Sequence, residues 1–74
     1  MKKSYNGDFL QVSFEPLGGS GNSTRLKIKI TTNGGQHLEA PNGEPVGDEA
    51  TLVVVGEWEI NELLSAFKDY ALTR

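Results

Sequence analysis

Two rhythms divide the chain. Leu10, Val12 and Phe14 alternate with Phe9, Gln11, Ser13 and Glu15, and Leu26, Ile28 and Ile30 alternate with Arg25, Lys27, Lys29 and Thr31. A period of two sends alternate side chains to opposite faces of a pleated strand, so both segments read as half-buried strands. Thr51, Leu52, Val53, Val54 and Val55 do not alternate. Both faces there are apolar and β-branched residues dominate, the composition of a strand that is central or covered on both sides. After Gly56 the rhythm changes. Ile60, Leu63, Leu64, Phe67 and Ala71 fall on one stripe of an α-helix. Glu57, Glu59 and Glu62 near its start, with Lys68 and Arg74 toward its end, suit the helix dipole. Asn61 offers an alternative N-cap that would begin the helix a turn later. Trp58, at the strand-to-helix junction, is expected to anchor the helix on the sheet.

Glycine-rich loops fall at Leu17 to Ser23, at Asn33-Gly34-Gly35 and from Pro41 to Asp48. Asn and Gly tolerate the positive φ of tight turns. The Asn33-Gly34-Gly35 turn allows two registers. A two-residue loop opposes Ile30 to His37 and Lys29 to Leu38, whereas a three-residue loop opposes Ile30 to Leu38 and Lys29 to Glu39. The second pairs apolar with apolar and base with acid, and cross-strand pairs are worth roughly 0.2–1 kcal/mol each. It predicts a short third strand over Gln36–Ala40, ended by Pro41.

The predicted fold is α+β: an antiparallel meander sheet of three to four strands with one C-terminal helix packed on one face, a single domain over residues 1–74. The helix stripe is expected to pack on Leu10, Val12, Phe14, Leu26, Ile28, Ile30 and Leu38, joined by Leu52 and Val54. The reverse face then carries polar residues together with Phe9, Val53 and Val55. Burial of these three is worth roughly 5–9 kcal/mol at about 1.5–3 kcal/mol each, against an association cost of about 4–15 kcal/mol. They mark a candidate self-association surface, and edge-strand pairing is a second route. Length sharpens this expectation. A chain of 74 residues without cysteine has no disulfide to add to a core that rarely supplies more than ~3–5 kcal/mol, so a homodimer is expected.

Charge and motifs narrow the chemistry. Ten acidic and seven basic residues give a net charge of −3, which argues against nucleic-acid binding through bulk charge. The longest aliphatic run, Leu52 to Val55, is far short of the roughly 20 residues of a crossing helix. The polar start lacks the apolar run of a secretory signal, so a cytoplasmic location is expected. Asn22-Ser23-Thr24 forms a sequon that this location leaves unused. Ser20 or Ser23, His37 and Asp48 supply the residue types of a triad, but the G-x-S-x-G elbow is broken at Asn22 and no helix follows it. One histidine and no cysteine leave zinc without ligands. Glu39, Glu44, Asp48 and Glu49 lack the order of a calcium loop. No enzymatic activity, cofactor or metal is expected. The Gly18–Ser23 loop offers amides that could cradle phosphate, and Arg25, Lys27 and Lys29 form a basic stripe of the kind that binds single-stranded nucleic acid.

Two resemblances bear on function. The order of four strands and a helix is similar in outline to transcriptional-coactivator-type single-strand binders, which act as dimers. The segments Asp8-Phe9-Leu10-Gln11-Val12, Arg25-Leu26-Lys27-Ile28-Lys29-Ile30 and Glu57-Trp58-Glu59-Ile60-Asn61-Glu62-Leu63-Leu64 resemble small bacterial immunity proteins that neutralise polymorphic toxins. The expected function is a non-enzymatic protein-binding module, of inhibitor or immunity type or phage-encoded, that occludes a partner protein. Glu49, Glu57, Glu59 and Glu62 are the candidate partner-binding residues, by electrostatic complementarity to a basic partner. The alternative is a nucleotide or single-strand binder using Arg25, Lys27, Lys29 and the Gly18–Ser23 loop.

Overall fold

A computed structural model describes residues 1–34 and 38–74; Gly35, Gln36 and His37, which include the start of the expected third strand and the lone histidine, lie outside the described residues. The elements are β1 (Lys3–Asn6), β2 (Leu10–Gly18), a 3-10 turn (Gly21–Ser23), β3 (Arg25–Thr32), β4 (Leu38–Glu39), β5 (Pro45–Gly47), β6 (Glu49–Val55) and α1 (Glu57–Thr73). Strands β1, β2, β3 and β6 form one antiparallel sheet in that order, and with the C-terminal helix they give the expected α+β arrangement.

The alternating segments set the faces. Lys3, Phe14, Ile28 and Leu52 form one row across the sheet, and Tyr5, Val12, Ile30 and Ala50 form the next. Leu26 lies opposite Pro16 and Val54. The reverse face is polar along β1, β2 and β3 and carries Val53 and Val55 on β6, because side chains alternate along each strand.

The expected third strand is corrected. Ile30 opposes Ala50 rather than Leu38, and Lys29 opposes Thr51 rather than Glu39. Leu38 instead opposes Gly47 in a separate two-stranded sheet of β4 and β5. The reason is length: β6 pairs with β3 at seven positions, from Glu49 with Thr31 to Val55 with Arg25, and a two-residue β4 cannot compete. Asn33 is not free to make a hairpin turn. Its Nδ2 donates to the Gly7 and Asp8 carbonyls at 3.2 Å each, and its amide donates to the Phe9 carbonyl at 3.1 Å. It thereby ties the β1–β2 connection to the end of β3. The excursion it begins turns back at Ala40–Glu44, where the Ala40 amide donates to the Glu44 carbonyl at 2.8 Å.

Strand β6 runs into α1 through one residue. Gly56 is buried and has φ 116° and ψ 130°, a conformation open in practice to glycine alone. Its amide donates to the Thr24 carbonyl at 2.7 Å, and its own carbonyl accepts from the Ile60 amide at 3.0 Å. The helix therefore starts at Glu57, and Asn61 lies inside it rather than capping it.

Candidate interaction surfaces

The helix covers little of the face it lies on. Among the described residues only two hydrophobic side chains are buried, Ile28 at 3% exposure and Leu26 at 8%, and none of the helix is buried. Ile60, Leu64 and Phe67 overhang Tyr5, Phe14 and Leu26 across an apolar groove of about 530 Å³. Tyr5 meets Phe14 edge to face, ring centroids 5.9 Å apart, an arrangement favoured by the ring quadrupoles. Beyond the groove, Leu52 is 53% exposed and Leu10 is exposed as well. Leu10, on which the stripe was expected to pack, is open, and Leu38 belongs to the smaller sheet rather than to the face under the helix.

Size makes the same point. The accessible surface is 5764 Å², whereas a compact 8.0 kDa monomer has about 4,450 Å². The radius of gyration is 13.6 Å, against about 11.3 Å for a compact chain of this length. The standoff of the helix and the exposed β4–β5 excursion hold this surface open.

Trp58 does not anchor the helix. It is 69% exposed and borders a shallow outer depression with Asn61, Glu62, Ser65 and Asp69. The reason is phase. Trp58 lies four residues before Glu62, so the two share one side of the helix, away from the Ile60–Leu64–Phe67 side that overhangs the sheet. Sequence reasoning placed Trp58 against the sheet from its position at the junction; its phase relative to Glu62 was the signal for its outward face.

The acidic candidates do not form one patch. Glu57 and Glu59 sit in the first turn of α1, and Glu59 folds back over Gly56. Glu62 lies beside Trp58. Glu49 is at the far end of β6, about 20 Å from Val55 at ~3.3 Å per residue, and it is bound to Lys29 at 2.8 Å.

The reverse face holds Arg25, Lys27 and Lys29 beside Val55, Val53 and Thr51 in register. Two of the three cations are engaged: Lys27 Nζ is 3.0 Å from Glu15 and Lys29 Nζ is 2.8 Å from Glu49. The hydrogen bond from Lys27, reinforced by its charge, holds the Glu15 carboxyl below its ordinary value. Val53 and Val55 are exposed there. Phe9 is exposed too, in the bend before β2 rather than in the strand. A polar depression of about 140 Å³ on this face is bordered by Ser4, Asn6, Gln11, Ser13 and Thr31.

The first glycine-rich loop is closed on itself. The Ser23 amide donates to the Ser20 carbonyl at 2.9 Å, the Ser20 amide to Ser23 Oγ at 3.3 Å, and Ser23 Oγ to the Ser20 carbonyl at 2.8 Å. Gly19 has φ 91°, and a Cβ there would run into the Ser23 carbonyl. The amides of Ser20, Ser23 and Thr24 all point at chain oxygens, which removes them from any phosphate cradle. Among the described residues no helix is long and apolar enough to cross a membrane. Compared with family models, with curated proteins and with solved structures, the chain matches none.

Proposed function

We propose that this chain is a small non-enzymatic protein-binding module, of inhibitor or immunity type or phage-borne, that acts by occluding a partner protein and works as a homodimer. One observation carries the reading: fourteen large hydrophobic residues are exposed among those described, while only two hydrophobic side chains are buried. Exposed apolar surface on this scale marks interaction sites. Trp58 supplies the anchor for the partner. Tryptophan is enriched at the energetic centres of interfaces, and here it stands beside Glu62 and Asp69 on a surface free of the sheet. Glu57, Glu59 and Glu62 give that end of the helix a negative field that attracts a basic partner.

The nucleotide or single-strand alternative rests on Arg25, Lys27 and Lys29. The ion pairs of Lys27 with Glu15 and of Lys29 with Glu49 weaken it, since a strand that displaced them would leave two carboxylates beside its phosphates. The test is a pull-down from the source organism's extract with the wild-type chain, Trp58→Ala and the Glu59→Lys/Glu62→Lys double variant. The expected result is one or more proteins held by the wild type and lost from both variants. Recovery of the same proteins from all three contradicts the assignment. Oligonucleotide binding at low salt that falls steeply as salt rises would favour the alternative.

A further inference from the structure

Strand β6 has the composition of an interior strand and stands at an edge. From Ala50 to Val55 it carries no charge. Leu52 and Val54 share the helix-side face, Val53 and Val55 the reverse face, and of these Leu52, Val53 and Val55 are exposed. One side of β6 is paired with β3 along its whole length; on the other side no strand is hydrogen-bonded to it among the described residues. Among the described residues a row of main-chain donors and acceptors is therefore open along an apolar strand, which is a template for pairing. The opposite edge of the sheet is built differently. β1 has four residues, carries Lys3 with Lys2 beside it, and is otherwise Ser4, Tyr5 and Asn6. Short length and lysine are the usual means of blunting an edge. The chain protects one edge and leaves the other bare.

We propose that β6 pairs antiparallel with β6 of a second copy across a two-fold axis, joining two four-stranded sheets into one of eight strands. This rests on the reading that the chain self-associates, and it moves the contact from the reverse face alone to the whole β6 edge, with Val53 and Val55 included. The sequence suits the operation. With Leu52 on the axis, Glu49 of each copy opposes the partner's Val55, so the strand's only charged residue never faces its twin. Leu52 and Val54 then continue the helix-side apolar face across the seam, while Val53 and Val55 continue the reverse face. Because α1 leaves directly from the end of β6, each helix flanks the joint. The surface the seam would cover is apolar on both faces: Leu52 is 53% exposed, Val53 38% and Val55 51%.

The absence of cysteine makes single-cysteine probes unambiguous. Leu52→Cys, Ser4→Cys and Phe67→Cys full-length chains are to be oxidised mildly, sedimentation equilibrium gives the mass, and amide exchange over Ala50–Val55 in the wild type is followed against protein concentration. The last needs no substitution. The expected result is a dimer, Leu52→Cys cross-linked at least tenfold faster than Ser4→Cys, and β6 amides that slow as concentration rises. A monomer at every concentration overturns self-association and this assignment together. A dimer that cross-links through Phe67→Cys or Ser4→Cys, with β6 amides indifferent to concentration, overturns the β6 assignment alone.

Discussion

Ile28→Ala measures how little of this fold is core. Ile28 is the most buried hydrophobic side chain described, at 3% exposure, flanked by Phe14 and Leu52 in one row of the sheet. The substitution removes three carbons. At about 0.8 kcal/mol per buried CH₂ the transfer loss is about 2.4 kcal/mol. A cavity term adds to that where neighbours cannot close in, and core Ile→Ala changes span about 2–5 kcal/mol. Here Phe14 is half-buried and Leu52 exposed, and the helix stands off across a groove, so the site has room to relax. The expected cost is therefore about 2–3 kcal/mol, at the low end of that range. Set against the ~3–5 kcal/mol that one small core supplies, it removes most of the stability. Leu72→Ala, at a residue 74% exposed, is the matched control and lies within ±0.5 kcal/mol. Urea unfolding followed by circular dichroism at fixed protein concentration reads both. An Ile28→Ala cost below about 1 kcal/mol, the ordinary mean for any substitution, refutes the placement of the core at the centre of the sheet.

Three further outcomes follow from the geometry. Gly56→Ala places a side chain at φ 116° and is expected to cost about 1–3 kcal/mol in thermal or urea unfolding; adding Glu59→Ala does not restore the loss, because the strain lies in the backbone and not in the carboxylate above it. The Glu15 carboxyl titrates below its ordinary 4.5 when followed by NMR, and Lys27→Met moves its midpoint up. Because ionisation is favoured in the folded state, the pair's contribution is present above the unfolded midpoint and disappears as pH falls through the folded one; the stability difference between wild type and Glu15→Gln therefore closes on acidification. Gly19→Ala, whose methyl meets the Ser23 carbonyl, disrupts the Ser20–Ser23 turn and lowers the melting temperature, whereas Gly21→Ser, at φ 53° with open space around it, has a smaller effect.

The sequence carried the layers of the fold more clearly than their order. Alternation in Leu10–Phe14 and Leu26–Ile30 gave both faces of the sheet, since a period of two leaves no freedom in parity. The helical stripe likewise put Ile60, Leu64 and Phe67 over the sheet. Strand β1 was not legible, because Tyr5 is its only apolar residue and one residue makes no pattern. The pairing of Ile30 was misread for a different reason. Local turn chemistry at Asn33-Gly34 favoured a hairpin, and nothing local records that Asn33 bonds to Gly7, Asp8 and Phe9 instead. Trp58 was assigned to the sheet although its side of the helix carries Glu62. The apolar run Thr51–Val55 predicts a strand that is central or covered on both sides. It lies instead at an edge, with Leu52, Val53 and Val55 exposed, because composition records what a strand could bury and not what its own chain supplies. This discord is what points to a second copy. Of the candidate sites, the basic stripe was visible by spacing, but its neutralisation by Glu15 and Glu49 depends on which strands lie adjacent.

The central claim is that this chain leaves apolar surface outside its own fold for another copy to cover. Sedimentation equilibrium across a hundredfold range of concentration tests it most directly. A single species of twice the 8.0 kDa chain mass, dissociating only at the dilute end, is the predicted result. A stable, folded monomer of 8.0 kDa throughout that range contradicts it.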